Sequence, residues 1–116
     1  MKGLPVVLAR RRGDVRSELD LSIETGHPCF EGHFPGQPIL PGVVQIGWAV
    51  HYAGKLYGLG PAVTTLEQIK FRRPILPGAR LTLHLALTGD GRKLRYEYRD
   101  AERSYSSGVL DFGNAR

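Results

Sequence analysis

An α+β fold, an antiparallel β-sheet wrapped around one long central helix, is predicted by three features of this 116-residue chain. From Val63 to Phe112 apolar and polar residues alternate in runs separated by turn residues, the period of half-buried strands. Residues 43–57 carry small and apolar side chains nearly all round a helix, with Lys55 the single lysine, arginine or carboxylate among them. A helix so poor in charge in a small domain needs a cover on most of its sides, and a curled sheet supplies one. The length suits one core, burying roughly two-thirds of the surface of the unfolded chain, so residues 1–116 are read as a single domain.

In chain order, residues 1–13 are read as an irregular N-terminal segment. Its apolar stretch Leu4–Ala9 precedes Arg10, Arg11 and Arg12. That is the wrong charge order for a secretory signal, and no apolar run is long enough to span a bilayer. A cytoplasmic location without a membrane span is expected. Val15, Ser17, Leu19, Leu21 and Ile23 alternate with Arg16, Glu18, Asp20, Ser22 and Glu24 in a first strand, ended by the turn Thr25-Gly26-His27-Pro28. A loop rich in glycine and proline then leads into a helix from Val43 to about Tyr57, closed by Gly58 and Gly60. Val63, Thr65, Glu67, Ile69 and Phe71 share one face of a strand that ends at Arg73-Pro74. Leu81, Leu83, Leu85 and Leu87 alternate with Thr82, His84, Ala86 and Thr88, and Gly89-Asp90-Gly91 is a hairpin turn. Leu94, Tyr96 and Tyr98 continue the alternation, and a last strand covers roughly Ser104 to Phe112.

The net charge of +5 gathers at Arg10–Arg12, at Lys70, Arg72 and Arg73, and between Arg92 and Arg103. Such patches attract polyanions or acidic proteins. No helix-turn-helix, zinc-finger or interleaved basic-aromatic pattern accompanies them, which argues against nucleic acid as the partner. Cys29 is the only cysteine, so an intrachain disulfide and a cysteine-based metal cluster are excluded; a buried, inert thiol is expected. His27, His33, His51 and His84 lie at spacings that match no helical metal pair, and no Gly-rich phosphate loop is present. Neither metal nor organic cofactor is expected.

The candidate site is Gly32-His33-Phe34-Pro35-Gly36-Gln37-Pro38-Ile39-Leu40-Pro41-Gly42. A proline-stiffened loop that runs into a helix start brings an imidazole and free backbone N–H donors to one small volume. Such a volume can polarise a carbonyl and move a proton nearby. In isolation His33 would be read as a loop-bonding residue; its motif favours chemistry.

From Gly32 to Val43 the chain matches Gly-His-Phe-Pro-x-x-Pro-x-x-Pro-Gly-Val without a gap, and Ile69-Lys70-Phe71-Arg72-Arg73-Pro74-Ile75-Leu76-Pro77-Gly78 forms a second block. The two resemble motifs of the 3-hydroxyacyl-acyl-carrier-protein dehydratases of fatty-acid synthesis, which have the hot-dog fold. The resemblance implies that His33 abstracts the proton next to a thioester carbonyl, that the Gly42 N–H binds the carbonyl oxygen, and that the product is a 2-enoyl thioester. It places Phe34, Pro41, Val43, Gly47 and Phe71 against the acyl substrate. The partner implied is acyl carrier protein, an acidic domain that Lys55, Arg72 and Arg73 would dock by complementary charge. Family sites are built from two subunits, so a homodimer, or a heterodimer with a related subunit, is expected.

One position departs from the pattern. The family's helix carboxylate, which helps protonate and expel the hydroxyl, falls on Gly47. An interior helical glycine costs about 1 kcal/mol relative to alanine, which suggests a packing or substrate-room reason for it. His51, one turn further on, is either a replacement acid or a histidine satisfied by a core hydrogen bond. Glu67 is either a half-buried carboxylate of raised pKa on the face of Ile69 and Phe71 or an edge residue paired with an arginine. Glu31 either orients the loop or faces solvent. Two alternatives to dehydration therefore stand: a thioesterase with His33 or Glu67 as base, and a catalytically silent acyl-carrier or lipid-binding subunit completed by a partner. Gln45 and Trp48, at helical spacing with Tyr52 and Lys55, resemble the dehydratase-like proteins of polyketide and aryl-polyene pathways; their other reading is a helix edge at a subunit interface. The finer resemblance implies an aryl or polyene acyl group, with room at Gly47.

Overall fold

The computed structural model describes residues 3–30, 38–60, 62–88 and 90–113. Its strands are β1 (Val6–Arg12), β2 (Arg16–Ser22), β3 (Thr65–Phe71), β4 (Arg80–Thr88), β5 (Lys93–Arg99) and β6 (Ser104–Asp111), with helix α1 (Gly42–Tyr57) between β2 and β3. They form one sheet in the order β1-β2-β4-β5-β6-β3, each neighbouring pair antiparallel. Alternation explains the layering: Leu19 and Leu21 of β2, Leu81, Leu83 and Leu85 of β4, and Leu94, Tyr96 and Tyr98 of β5 are buried. They join Trp48, Ala49, Tyr52, Ala53 and Leu56 of α1 in one core. Gly58 ends the helix in the left-handed region, φ 70°, and its N–H donates to the Gly54 carbonyl at 3.0 Å. No described helix is long and apolar enough to cross a membrane.

The sheet closes tightly at Gly108, which faces Tyr96 across β5 and β6. A Cβ there would meet Ile69 Cδ1 and, at 2.8 Å, Tyr96 Cε2. Gly108→Ala is therefore expected to destabilise the fold by about 1–3 kcal/mol through overpacking. Urea denaturation measures this, and an unshifted midpoint would mean that Ile69 and Tyr96 move aside freely.

The structure corrects four expectations. Residues 1–13 are not all irregular, because Val6–Arg12 forms edge strand β1. The stretch Val-Val-Leu-Ala-Arg-Arg-Arg has no clean period, and its strand character comes from pairing with β2, where Arg11 bonds Asp20 at 2.7 and 2.9 Å and Glu18 at 2.8 Å. That guanidinium holds the Asp20 carboxyl down to about 2. Val15 does not share the inward face of β2; it stands before the strand and is 55% exposed. Cys29 is half-buried rather than buried, and burial still pushes its thiol up to about 11.

The fourth correction bears on the site. In β3 the register slips between Glu67 and Lys70, and Gln68 takes a left-handed φ of 51°. Gln68 and Ile69 of β3 there oppose the single residue Gly108 of β6, the mark of a bulge. Glu67 lies in the row of Val109 and Arg95, on the outer face, whereas Phe71 lies in the row of Ser106 and Tyr98, on the helix face. Glu67 and Phe71 do not share a face. Glu67 instead pairs with Lys93 at 3.1 Å, an edge pair with a lysine where an arginine was expected. Of the hairpin residues Gly89-Asp90-Gly91, Gly89 lies outside the described residues; Gly91, φ 89°, donates to the Thr88 carbonyl at 3.2 Å.

Candidate active site

Helix α1 begins without a side-chain cap. Pro41 occupies the N-cap position with φ −62° and ψ 145°, and it has no side-chain acceptor to offer. Its carbonyl accepts from the N–H groups of Val44 and Gln45, both at 3.1 Å. The N–H groups of Gly42 and Val43 have no acceptor among the described residues, so the first turn keeps donors available at the positive end of the helix dipole.

A cavity of 440 Å³ opens beside these donors, lined by Leu40, Pro41, Gly42, Val43, Phe71 and Arg73 among others. The Phe71 ring lies against Gly42 so closely that a Cβ on Gly42 would stand 2.6 Å from Cζ. Any larger residue at position 42 would have to push the Phe71 ring aside. The N–H groups of Arg72 and Arg73 both donate to the Tyr105 carbonyl, at 2.9 and 3.1 Å, and Arg72 Nη1 donates to Ser107 Oγ at 2.9 Å. The end of β3 is fixed in this way, with both arginines at the cavity.

A second cavity of 520 Å³ lies beside the same turn, lined by Gly3, His27, Cys29, Val43, Gly47 and Trp48 among others. Nothing lies within 4 Å of a Cβ placed on Gly47, so this position opens space. Trp48 Nε1 donates to the Gly3 carbonyl at 2.9 Å. His27 Nδ1 accepts the Cys29 N–H at 3.0 Å, which makes Nε2 the protonated nitrogen facing the Leu4 carbonyl at 3.2 Å.

The structure therefore brings Pro41, Gly42, Val43, Phe71, Arg72 and Arg73 around one cavity, with Val43 and Gly47 on the other. His33 and Phe34, like Glu31, lie outside the described residues. Within one protomer three candidates stand apart. Glu67 faces outward, as described. His51 is half-buried, edge-on to Tyr52 at 5.0 Å, and lies about 14 Å along the helix from Gly42. Burial, and then Lys55, lowers its pKa, so it is neutral at pH 7. Lys55 is exposed in the last turn, about 20 Å from Gly42. Gln45, for which a helix edge at a subunit interface was the alternative reading, is 3% exposed and hydrogen-bonded through both ends of its carboxamide. A glutamine inside an otherwise apolar segment was the signal available.

One helix held in the curl of an antiparallel sheet of this order is the hot-dog fold. The chain belongs to the ApeI-like family, whose profile, described as ApeI dehydratase, matches residues 9–109. It superimposes on a chain of the dehydratase heterocomplex ApeI:P from Xenorhabdus doucetiae with a TM-score of 0.85 and 32% identity, covering 93% of this chain and 96% of that one. An uncharacterized protein from Erwinia carotovora subsp. atroseptica matches with a TM-score of 0.81 and 40% identity, covering 93% and 94%. The 3-hydroxyacyl-acyl-carrier-protein dehydratase FabZ of a Bradyrhizobium species is 29% identical over 111 residues, covering 84% of this chain and 73% of the relative.

Proposed function

We propose that the chain removes water from 3-hydroxyacyl thioesters carried on acyl carrier protein, giving 2-enoyl thioesters. The observation that carries this reading is the uncapped first turn of α1, with the Gly42 and Val43 N–H groups free among the described residues beside the Phe71 cavity. His33 takes the proton at C2, and the electron pair moves toward the thioester oxygen. The Gly42 N–H and the helix dipole stabilise the charge that develops there. Collapse of the enolate forms the C2–C3 double bond and expels the 3-hydroxyl, which leaves as water once an acid protonates it. Arg72 and Arg73 receive the acidic carrier at the cavity mouth. The space at Gly47 suits a bulky aryl or polyene tail.

The acid is the open element. Glu67 faces away from the helix, and His51 is neutral at pH 7 with a lowered pKa. Gly47 stands where the carboxylate belongs, so this chain is one half of a site completed by a second subunit. A related, non-identical partner is favoured because the Xenorhabdus relative forms a heterocomplex. Surfaces suited to such a partner include edge strand β3, with Leu66 and Phe71 exposed, and the helix start, where Val43 is 77% exposed.

Mass spectrometry of 3-hydroxyacyl-carrier substrates, aliphatic and aryl or polyene-bearing, tests this with the chain alone and mixed with a related subunit. Loss of water supports the proposal. Release of free acid would make the chain a thioesterase, and intact substrate in both mixtures would make it a silent binding subunit. Gly47→Glu is expected to raise water loss by the chain alone by about 10²-fold, the lower range of a positioned acid. No gain in a folded variant would place the acid elsewhere than position 47.

A further inference from the structure

We infer that Gln45 is a positioning residue that holds Leu40-Pro41-Gly42, and with it the Gly42 N–H, in register for the carbonyl oxygen; the inference rests on the dehydration proposed above. Three side chains from a single transverse row of the sheet reach the first turn of α1. Tyr98 faces Ser106 across β5 and β6, and Ser106 faces Phe71 across β6 and β3. The Tyr98 hydroxyl donates to the Gln45 main-chain carbonyl at 2.6 Å, the Ser106 hydroxyl donates to Gln45 Oε1 at 2.5 Å, and the Phe71 ring abuts Gly42. Gln45 Nε2 then reaches back to the Leu40 carbonyl at 3.1 Å. A carbonyl only accepts, so this bond fixes which end of the carboxamide faces Leu40.

The consequence is a peptide segment with little freedom left. The Leu40 N–H donates to the Ile75 carbonyl at 2.8 Å, so both polar groups of Leu40 are held. The Pro41 ring sets φ. The remaining torsion, ψ of Pro41, aims the Gly42 N–H, and it is fixed because the Pro41 carbonyl is tied into the helix by two N–H groups. A serine, threonine or aspartate cap would hold a helix start by occupying the N–H groups of the second or third helical residue. That would compete for donors at the place where the site uses them. Gln45 anchors the same turn from inside the core and, among the described residues, leaves the Gly42 and Val43 N–H groups without an acceptor.

Gln45→Met keeps the side-chain length and removes both carboxamide bonds. The expected result is a folded variant whose Gly42 and Val43 amide resonances shift, while those of β4 stay in place. Its kcat should fall about tenfold or more, with KM within about twofold, because displacement by a fraction of an ångström weakens transition-state contacts most. Ser106→Ala keeps the bond to Leu40 and should show the same pattern more weakly; it decides the matter if Gln45→Met does not fold. Gln45→Glu can bond Leu40 only while protonated, so its kcat should fall at a pH where the wild type is unaffected. Unchanged amide signals at Gly42 and Val43 together with an unchanged kcat in Gln45→Met would overturn the inference. These rates are measured with the related subunit present; if the wild type so completed expels no water, the proposed function fails while the amide signals still decide the positioning role.

Discussion

Replacing His33 with alanine is expected to reduce water loss from a 3-hydroxyacyl thioester by about 10²–10⁴-fold, the usual contribution of a general base, while leaving the melting temperature nearly unchanged. The size of the effect follows from the other histidines, none of which is placed to substitute. His27 has both ring nitrogens engaged, one by the Cys29 N–H and one at the Leu4 carbonyl. His51 lies about 14 Å along the helix from Gly42. His84 stands on the outer face of the sheet between Glu18 and Glu97, 3.6 Å from Glu18 Oε2. Cys29 is no substitute base either, since burial keeps its thiol protonated at neutral pH. The measurement is single-turnover mass spectrometry of the carrier-bound substrate, with circular dichroism as the check on folding. Turnover at the wild-type rate in His33→Ala would remove the proposed mechanism.

What could be read in the sequence was what depends on short-range pattern. The leucines of β4 and the tyrosines of β5 alternate cleanly because each strand buries one face, and the helix is recognisable because it is nearly free of charge. The helix start was legible to within one residue: read from Val43, it begins at Gly42. What escaped the sequence depends on partners distant along the chain. Strand β1 exists because β2 offers its edge and its carboxylates to Arg11. The bulge at Gln68 leaves the apparent period of Glu67, Ile69 and Phe71 intact on paper, yet it turns Glu67 to the opposite face from Phe71. A surface glutamine and a buried one look alike in sequence; only the convergence of Leu40, Tyr98 and Ser106, the last two more than fifty residues away, shows that Gln45 is of the second kind.

The backbone donor at Gly42 can be removed chemically, and the structure shows how to do so without confusing the result. Proline is well tolerated at the first position of a helix, where its missing N–H breaks no helical bond, and its ring angle already suits the helix. The residue before a proline must be extended, and Pro41, at ψ 145°, is. The obstacle is Phe71, whose ring would meet any side chain at position 42. The comparison is therefore made in a Phe71→Ala background, with Gly42→Ala against Gly42→Pro. Both variants carry a side chain in the same place, and they differ in the N–H. Water loss is expected to be about 10²–10³-fold slower in the proline variant than in the alanine variant, the cost of one oxyanion donor, with similar melting temperatures. Equal rates in the two would mean that the carbonyl oxygen is met by another donor, with the adjacent N–H of Val43 the first to examine.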